Sequence, residues 1–338
     1  MKPDGGKHTV EQDGGVVCRA CEAPHGRHCI TLSSVPVHCN IRCHTRKIAL
    51  DVPRADMHVG FCHQCGHLHN HAFQSHLVRY DAPYENPLHH SELFRRFSSE
   101  LAHYLVDTYD LHGKTIAEIG CGDGRFLEEL CTLGGNQGIG FEPSHVGRPH
   151  ATAQNPHVRM INSYFTDQHH EIEADFICCR QVLEHLESPR RILEAVRKAA
   201  TVRPSCTVFF EVPDARYTLV DLGVWDLLYE HCNYFTNESL ANLFESSGFN
   251  VLDIRRMFGG QYLGIEARVS SVPKTHRSPL VENRVNDLSG LVDKFVEHYH
   301  EKKGHWIHLL HRLRAQGKRV VVWGSGSKGT MFLNTVDT

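Results

Sequence analysis

The sequence predicts an α/β protein with a parallel sheet, preceded by a small cysteine-rich module. Three observations lead to this prediction. Short apolar runs alternate with helical patterns from residue 114 onward. A glycine-rich turn, Gly120 to Gly124, joins the first of these strands to the following helix, and two Cys-x-x-Cys pairs occur before residue 66. The cysteine pairs indicate a metal-stabilised module in front of the sheet.

The predicted elements follow one another in the order that a doubly wound sheet requires. Apolar runs of four to eight residues predict strands at 115–119, 138–141, 158–161, 174–178, 207–212, 249–254 and 262–269. Helical periodicity predicts helices at 85–110, from the glycine-rich turn to residue 133, at 188–200 and at 237–247. A long insertion, 213–236, follows the fifth strand.

Composition restricts the partners of the chain. It has 338 residues, with 36 basic and 39 acidic side chains and a net charge of −3, so no basic field favours nucleic acid. No apolar run approaches the roughly 18 residues of a membrane-spanning helix, and the polar N-terminus has no signal-peptide core. We therefore expect a cytoplasmic protein with neither nucleic acid nor membrane as its partner. The oligomeric state is left open.

The C-terminal region has the pattern of a second α/β unit. A long amphipathic helix at 281–316 precedes a predicted buried strand at 318–323, and Gly324-x-Gly326-x-x-Gly329 then opens a helix. The glycine spacing fits the dinucleotide pattern, but we do not infer NAD from it alone. One strand and one helix cannot form a core of their own. The unit either docks onto the preceding domain or, as we favour, begins a longer domain.

Four cysteines have the spacing of a structural zinc site. They form two Cys-x-x-Cys pairs, Cys18 with Cys21 and Cys62 with Cys65. Four thiolates close the coordination sphere of a zinc ion, so the metal would support folding. An iron–sulfur cluster is the alternative, and a redox pair is a weaker one. The neighbouring histidines, His63, His67, His69 and His71, are expected to be solvated surface groups.

The glycine-rich turn carries the pattern of a cofactor site. Gly120-x-Gly122-x-Gly124 differs from the dinucleotide spacing, Glu118 precedes it, and Glu142 ends the second strand 22 residues after Gly120. A carboxylate at that position can hold both hydroxyls of a ribose. This set resembles the class I S-adenosylmethionine (SAM)-dependent methyltransferases, with a ligand-free turn or an NAD site as alternatives. The resemblance implies that the loop faces the methionine part of SAM and that Glu142 holds the ribose.

Further cofactor contacts follow from the same resemblance. Gln181 is expected near the amino acid part of SAM or the substrate. Phe165 is expected beside the adenine, with a core position as the alternative, and Tyr80 and Tyr84 are expected to close over SAM or substrate. The complete set of candidate cofactor residues is Glu118, Gly120, Cys121, Gly122, Asp123, Gly124, Glu142, Gln181, Tyr84 and Phe165.

The order of modules resembles the zinc-binding sugar C-methyltransferases that act on nucleotide-linked keto-deoxysugars. The matching stretches are the two cysteine pairs, 80–84, 118–124, 141–144, 229–231 and 322–329. The Gly-, Asp- and Lys-rich composition predicts a disordered tail at 1–16. The resemblance implies a zinc-binding module at 17–75 and a SAM-dependent methyltransferase domain at 76–270. A linker helix and an incomplete Rossmann-like domain would occupy 271–338. It also implies structural zinc as a second cofactor and a nucleotide sugar as substrate.

The insertion carries the candidate catalytic group. C-methylation requires a base that removes a proton alpha to a ketone, and an imidazole can do this near neutral pH. We expect His231 to be this base, with Glu230 and Tyr229 orienting it or stabilising the enolate. Glu184 and His185 are expected to have packing roles. Two alternatives stay open: an O- or N-methyltransferase of a small natural product, in which His231 deprotonates the acceptor, and a SAM-binding protein without activity.

Overall fold

A computed structural model describes residues 15–24, 26–39, 41, 43–78, 88–145, 155–271, 279–324 and 326–336. Its strands are β1 (Gly26–Pro36), β2 (Arg54–Cys62), β3 (Leu68–Asn70), β4 (Thr115–Ile119), β5 (Gln137–Phe141), β6 (Val158–Ile161), β7 (Phe176–Arg180), β8 (Thr207–Pro213), β9 (Asn233–Tyr234), β10 (Phe249–Met257) and β11 (Tyr262–Val269). Its helices are α1 (Arg46–Leu50), α2 (Glu92–Tyr109), α3 (Arg125–Gly134), α4 (Pro189–Thr201), α5 (Ala215–Leu219), α6 (Asn237–Ser246), α7 (Pro279–Ala315) and α8 (Ser327–Thr335).

The larger sheet confirms the predicted α/β fold. It has seven strands in the order β10-β11-β8-β7-β4-β5-β6. The five strands from β8 to β6 are parallel, whereas β11 pairs antiparallel with both β8 and β10. From β4 the chain adds β5 and β6 on one side and then β7 and β8 on the other, so the strand order reverses at β4. Ligands in open α/β sheets bind beyond the carboxyl ends of the strands at such a switch point.

Helices cover both faces of this sheet. Alternate residues of β7 point to opposite sides, so Phe176 joins the core beneath α2 and α3 while Ile177 joins the core beneath α4 and α6. Both residues are fully buried. Because the parallel strands are covered on both faces, they read in sequence as continuous apolar runs.

A second, antiparallel sheet includes the cysteine-rich module. Its strand order is β1-β2-β3-β9, and β9 comes from the insertion after β8. Leu68 of β3 is paired with Tyr234 of β9. The predicted insertion therefore leaves the larger sheet and completes the sheet of the module. Val16, assigned by the sequence to the tail, forms a bridge with Gly26, and residues 1–14 lie outside the described residues.

The long helix α7 packs against this second core. Its buried side chains are Val285, Leu288, Val292, Phe295 and Tyr299, which recur every three to four residues along one helical face. Leu288 Cδ2 lies 3.1 Å from the position that a Cβ on Gly66 would occupy. Since Gly66 also has a φ of +73°, glycine serves both the tight turn of the module and the close approach of α7.

The predicted strand at 318–323 is wrong. These residues form no strand, and the side chains of Val321 and Trp323 are 87% and 101% exposed. A buried strand needs a neighbouring strand to receive its backbone hydrogen bonds, and no described residue pairs with this run. The following helix α8 instead docks onto the insertion, where the ring of Phe332 lies 4.9 Å from that of Trp225.

No helix in the described ranges combines the length and the apolar character that a bilayer crossing requires.

Candidate active site

The carboxyl ends of the parallel strands bring most of the predicted cofactor residues to one edge of the sheet. The glycine loop follows β4, Glu142 follows β5, and Gln181 follows β7. Glu211 lies near the end of the neighbouring strand β8. Strands in the order β8-β7-β4-β5 place these groups side by side. The glycine loop thus has Glu142 on one side, after β5, and Gln181 on the other side, after β7.

The glycine loop needs glycine at three positions because each has a positive φ. The φ values are +69° at Gly120, +55° at Gly122 and +81° at Gly124. A Cβ on Gly120 would lie 2.3 Å from Val182 Cγ2, so this glycine lets the turn after β7 approach the loop. No atom lies within 4 Å of the corresponding position at Gly122. Gly122 therefore borders open space in which a ligand can contact the backbone.

Glu142, the acid predicted to bind a ribose, faces the glycine loop. Its Oε2 accepts a hydrogen bond from Gly122 N at 3.1 Å. Its Oε1 accepts from both the backbone N and the hydroxyl of Ser144, at 2.9 and 2.7 Å. These contacts hold the carboxylate at the mouth of the glycine loop, where two vicinal hydroxyls could hydrogen-bond to it.

The other acidic groups at the loop have different environments. Glu118 is 3% exposed, and burial, the largest cause, raises its pKa to about 8. No hydrogen-bond donor among the described residues reaches its Oε2. Asp123 instead forms an ion pair with Arg125 at the start of α3. Cys121 is buried with its Sγ 3.9 Å from Met160 Sδ, so it can contribute only backbone atoms to a ligand.

Gln181 is held in an unusual backbone conformation at the end of β7. Its φ is +54°, which is rare for a residue with a side chain. Its N donates to Glu211 O at 2.7 Å, and its Nε2 donates to Glu211 Oε1 at 3.0 Å. Arg180 donates to the same carboxylate at 3.2 Å. Strained residues of this kind often lie at functional sites, which agrees with the predicted location of Gln181.

The aromatic residue predicted beside the adenine, Phe165, lies in the core of the protein. Phe165 is only 6% exposed, and its ring packs edge-on to Phe141 at 5.0 Å and stacks on His169 at 5.6 Å. The core alternative thus describes Phe165. The neighbouring Tyr164 is 61% exposed. Tyr80 and Tyr84 lie outside the described residues.

The structure pairs His231 with a histidine to which the sequence analysis assigned a packing role. The rings of His231 and His185 meet edge to face at 4.7 Å. His185 lies on the turn that follows β7, three residues after the Val182 that contacts Gly120. Burial, followed by the neighbouring His185, holds the pKa of His231 well below its ordinary value. His231 is therefore a neutral imidazole at pH 7, with a lone pair available to accept a proton.

Glu184 completes this cluster. A carboxylate oxygen of Glu184 and a ring nitrogen of each histidine all lie within 4.8 Å of one another. Glu184 is 2% exposed, and burial raises its pKa to about 8. At pH 7 its carboxyl group is mostly protonated, so it can donate a hydrogen bond rather than place a negative charge beside the two imidazoles.

Tyr229 and Glu230 contact the cysteine-rich module rather than forming the support predicted for His231. The hydroxyl of Tyr229 accepts a hydrogen bond from Gln74 N at 3.0 Å, and its ring packs on Phe73. Glu230 Oε2 accepts from Cys39 N at 3.2 Å. Both side chains are fully buried. The backbone of Glu230 nevertheless positions the cluster, because its carbonyl accepts a 2.9 Å hydrogen bond from Nδ1 of His185.

The four predicted metal ligands converge. Cys18 Sγ lies 3.5 Å from Cys65 Sγ, and Cys21 Sγ lies 3.6 Å from Cys62 Sγ. All four sulfur atoms lie within 4.8 Å of one another. A tetrahedral ion with metal–sulfur distances of about 2.3 Å separates its sulfurs by about 3.8 Å, so the donor set fits zinc.

Two histidines expected at the surface are buried near the cysteine cluster, and one of them reaches the turn after β7 through Asn233. His67 and His69 are fully buried, and their rings stack at 5.7 Å. The Nε2 of His67 hydrogen-bonds to Asn233 Oδ1 at 3.0 Å. Asn233 Nδ2 in turn donates to Leu186 O at 2.7 Å, next to His185. The prediction that these histidines lie at the surface was wrong. It failed because β3 pairs with β9, which is distant in sequence, and both rings are buried in the resulting structure.

Comparison with known proteins defines the class. Residues 89–254 match the family model of a methyltransferase domain. With the sheet and glycine loop described above, the chain carries a class I SAM-dependent methyltransferase domain, and SAM is the cofactor of that class. The predictions of fold class and of enzyme class are confirmed.

Curated relatives are named for O-methylation. The chain is 34% identical over 127 residues to the ubiquinone biosynthesis O-methyltransferase of Hydrogenovibrio crunogenus, a match covering 36% of this chain and 52% of that protein. It is 31% identical over 162 residues to the Aeromonas salmonicida enzyme of the same name, covering 43% of this chain and 66% of that protein. The matches thus span about half to two thirds of these relatives.

Solved structures show similarity over about half of the chain. A putative methyltransferase of Haloferax volcanii, in complex with the Trm112 methyltransferase activator, is 12% identical with a TM-score of 0.41, covering 53% of this chain and 98% of that one. The 1,6-didemethyltoxoflavin-N1-methyltransferase of Burkholderia thailandensis is 16% identical with a TM-score of 0.41, covering 61% and 96%.

Proposed function

We propose that the chain methylates a small molecule at an oxygen atom, with His231 as the general base. The single observation that carries this proposal is the contact of the neutral His231 with His185, whose turn also approaches the glycine loop through Val182. The curated relatives named as O-methyltransferases support oxygen rather than carbon as the acceptor. The same comparisons favour this assignment over the sugar C-methylation that the sequence resemblance implies.

The residues at the sheet edge fit SAM. Glu142 would hold the ribose hydroxyls, and the backbone at Gly122 would lie against the cofactor, because its Cβ position borders open space. Gln181, fixed by Glu211, would face the amino acid part. When bound, SAM supplies an electrophilic methyl group that the acceptor oxygen takes as S-adenosylhomocysteine leaves.

His231 would take the proton of the acceptor hydroxyl. A general base must be unprotonated at the working pH, and the lowered pKa of His231 meets this requirement at neutral pH. His185 would orient the ring of His231, since its own Nδ1 is fixed on the carbonyl of Glu230. We assign His185 as a positioning residue and His231 as the catalytic residue.

The cysteine cluster would hold a structural zinc ion in a module of residues 17–75. Four thiolates leave no open coordination position, so the metal would act on folding alone. Its effect on the active site would pass through His67 and Asn233 to the turn that carries His185. Metal analysis of the purified protein and of Cys62→Ser tests this assignment: a loss of one zinc equivalent in the variant supports it, and iron or no metal in the wild type contradicts it.

A second candidate function is C-methylation of a nucleotide-linked keto sugar. It is supported by the cysteine-rich module, which the family match at 89–254 does not include. In this case the acceptor is the carbon alpha to a ketone, and His231 removes a C–H proton instead of an O–H proton. The two candidates thus use the same base and differ in the atom that receives the methyl group.

One experiment distinguishes these candidates. The protein is incubated with SAM bearing a ¹³C-labelled methyl group and panels of phenolic or enolic acceptors and of keto-sugar nucleotides. An oxygen-bound methyl signal in the product supports O-methylation. A carbon-bound methyl signal, with deuterium exchange at the alpha carbon in the absence of SAM, supports C-methylation. Failure to form S-adenosylhomocysteine with every acceptor contradicts both.

A further inference from the structure

Three histidines gather on the solvent-facing side of the smaller sheet, away from the active site. His28 lies on β1, His58 on β2 and His71 directly after β3. The three ring centroids form a nearly equilateral triangle with sides of 5.5, 5.5 and 5.4 Å. One ring nitrogen of each histidine lies within 4.8 Å of the other two. Three neighbouring strands thus each contribute one imidazole to the same point.

The strand register explains why the three rings share one face. Thr31 is paired with His58 across β1 and β2, and His71 N donates to His58 O at 2.8 Å on the other side. The register shifts between His28 and Ile30, and this irregularity turns His28 onto the face of Thr31. Without the shift, strand alternation would place His28 on the face of the buried Ile30.

A glycine makes room for the cluster. Gly60 is paired with His28 on one side of β2, and a Cβ at Gly60 would lie 3.2 Å from Cδ2 of the His71 ring. It would also lie 3.0 Å from the carbonyl oxygen of Arg27. Any side chain at this position would therefore press against the ring of His71.

The nitrogen positions match those required by a metal ion. The distance from His28 Nδ1 to His71 Nε2 is 3.2 Å. In a tetrahedral site with metal–nitrogen distances of about 2.0–2.1 Å, two ligand nitrogens are about 3.3 Å apart. His58 supplies the third nitrogen, which lies within 4.8 Å of the ligand nitrogens of the other two histidines.

A hydroxyl group fixes the orientation of one ring. The other nitrogen of His28, Nε2, lies 3.0 Å from Thr31 Oγ1. When the hydroxyl accepts the Nε2–H, the lone pair of His28 is on Nδ1, which faces His71. Histidines that bind metals commonly donate their second ring nitrogen to such a partner.

We propose that His28, His58 and His71 bind a divalent transition-metal ion, with zinc as the natural occupant. Three imidazole nitrogens suit zinc, copper and nickel rather than calcium or magnesium. His28 is exposed, and the fourth coordination position would therefore face solvent. The ion would join three strands of the module at its outer face.

Zinc titration of the full chain tests this proposal. The protein is first equilibrated with zinc, and the bound metal is measured in the presence of a weak chromogenic chelator. We expect one zinc per chain beyond that held by the cysteine cluster. His58→Gln and His71→Gln should each lose this second equivalent and retain the first, which also reports that the module is folded. Thr31→Val should weaken the second equivalent by about tenfold.

His76→Gln is the matched control, because His76 is an exposed histidine of the same region outside the cluster. Cu²⁺ added to the zinc-loaded protein should give an electron paramagnetic resonance spectrum with imidazole nitrogen couplings in the wild type and in His76→Gln. The same couplings should disappear in His58→Gln. Either of two results overturns the proposal: no second equivalent in the wild type, or a second equivalent that survives in both His58→Gln and His71→Gln.

Discussion

Replacing His231 by asparagine tests the assigned base. His231→Asn preserves a small polar side chain beside His185 but removes the group that takes the acceptor proton. A positioned general base contributes about 10²- to 10⁴-fold to the rate, which corresponds to about 3–5 kcal/mol of activation free energy. We therefore expect kcat/KM to fall by about 10²- to 10⁴-fold while the Kd of SAM changes little, because the predicted SAM contacts lie at the glycine loop.

The pH profile tests whether His231 stays neutral over the working pH range. An ordinary imidazole with a pKa of about 6.5 is about three quarters protonated at pH 6, so the rate would fall about fourfold between pH 8 and pH 6. His231 has a pKa held well below this value by burial and by His185. Its neutral, active form thus persists as the pH falls, and the wild-type kcat/KM should stay nearly constant from pH 8 to pH 6.

The assay is S-adenosylhomocysteine release with the best acceptor from the panel, together with SAM titration by calorimetry. His103→Asn is the control, because His103 is an exposed histidine on α2 far in sequence from the cluster. It should retain wild-type rates. Wild-type kcat/KM in His231→Asn, or a fourfold fall between pH 8 and pH 6 that disappears in the variant, would refute the assignment of a neutral His231 base.

Four further substitutions test the cofactor site, the loop, the metal cluster and the packing of α7. Glu142→Ala should raise the Kd of SAM by about tenfold or more in calorimetry, since it loses a hydrogen bond to each ribose hydroxyl of about 1 kcal/mol; an unchanged Kd would count against the ribose assignment. Gly120→Ala places a Cβ 2.3 Å from Val182 at a φ of +69°, and should lower the free energy of unfolding by about 1–3 kcal/mol in urea titration; wild-type stability would contradict the described loop geometry. Cys62→Ser should lower the zinc content by one equivalent in metal analysis and lower the thermal midpoint, whereas an unchanged zinc content would exclude the four-thiolate site. Leu288→Ala should cost about 2–5 kcal/mol in chemical denaturation, because Leu288 is 1% exposed; a loss under about 0.5 kcal/mol, the usual limit for surface substitutions, would show that α7 does not pack on the module.

Much of the central sheet is predictable from local sequence. The strands Thr115–Ile119, Val158–Ile161 and Tyr262–Val269 have the bounds that their apolar runs predict. The glycine loop and Glu142 are recognisable because backbone conformation and ligand chemistry restrict the residue types at those positions. Local periodicity thus identifies elements that bury both faces or that must adopt positive φ.

Contacts between distant segments could not be predicted in the same way. The pairing of β3 with β9 joins residues more than 160 positions apart, and it buries His67 and His69, which local polarity places at the surface. The same docking sets His185 against His231 and turns Tyr229 toward Gln74. The strand prediction at 318–323 failed for the opposite reason. Its apolar pattern is that of a buried strand, but no described strand pairs with it.

A crystal structure of the protein with S-adenosylhomocysteine tests the central claim most directly. The account predicts that both ribose hydroxyls hydrogen-bond to Glu142, that the ligand lies against the backbone of Gly122, and that the sulfur faces the space beside His231. A ligand bound elsewhere, or a ribose that leaves Glu142 on Gly122 N while the sulfur points away from His231, would contradict the account.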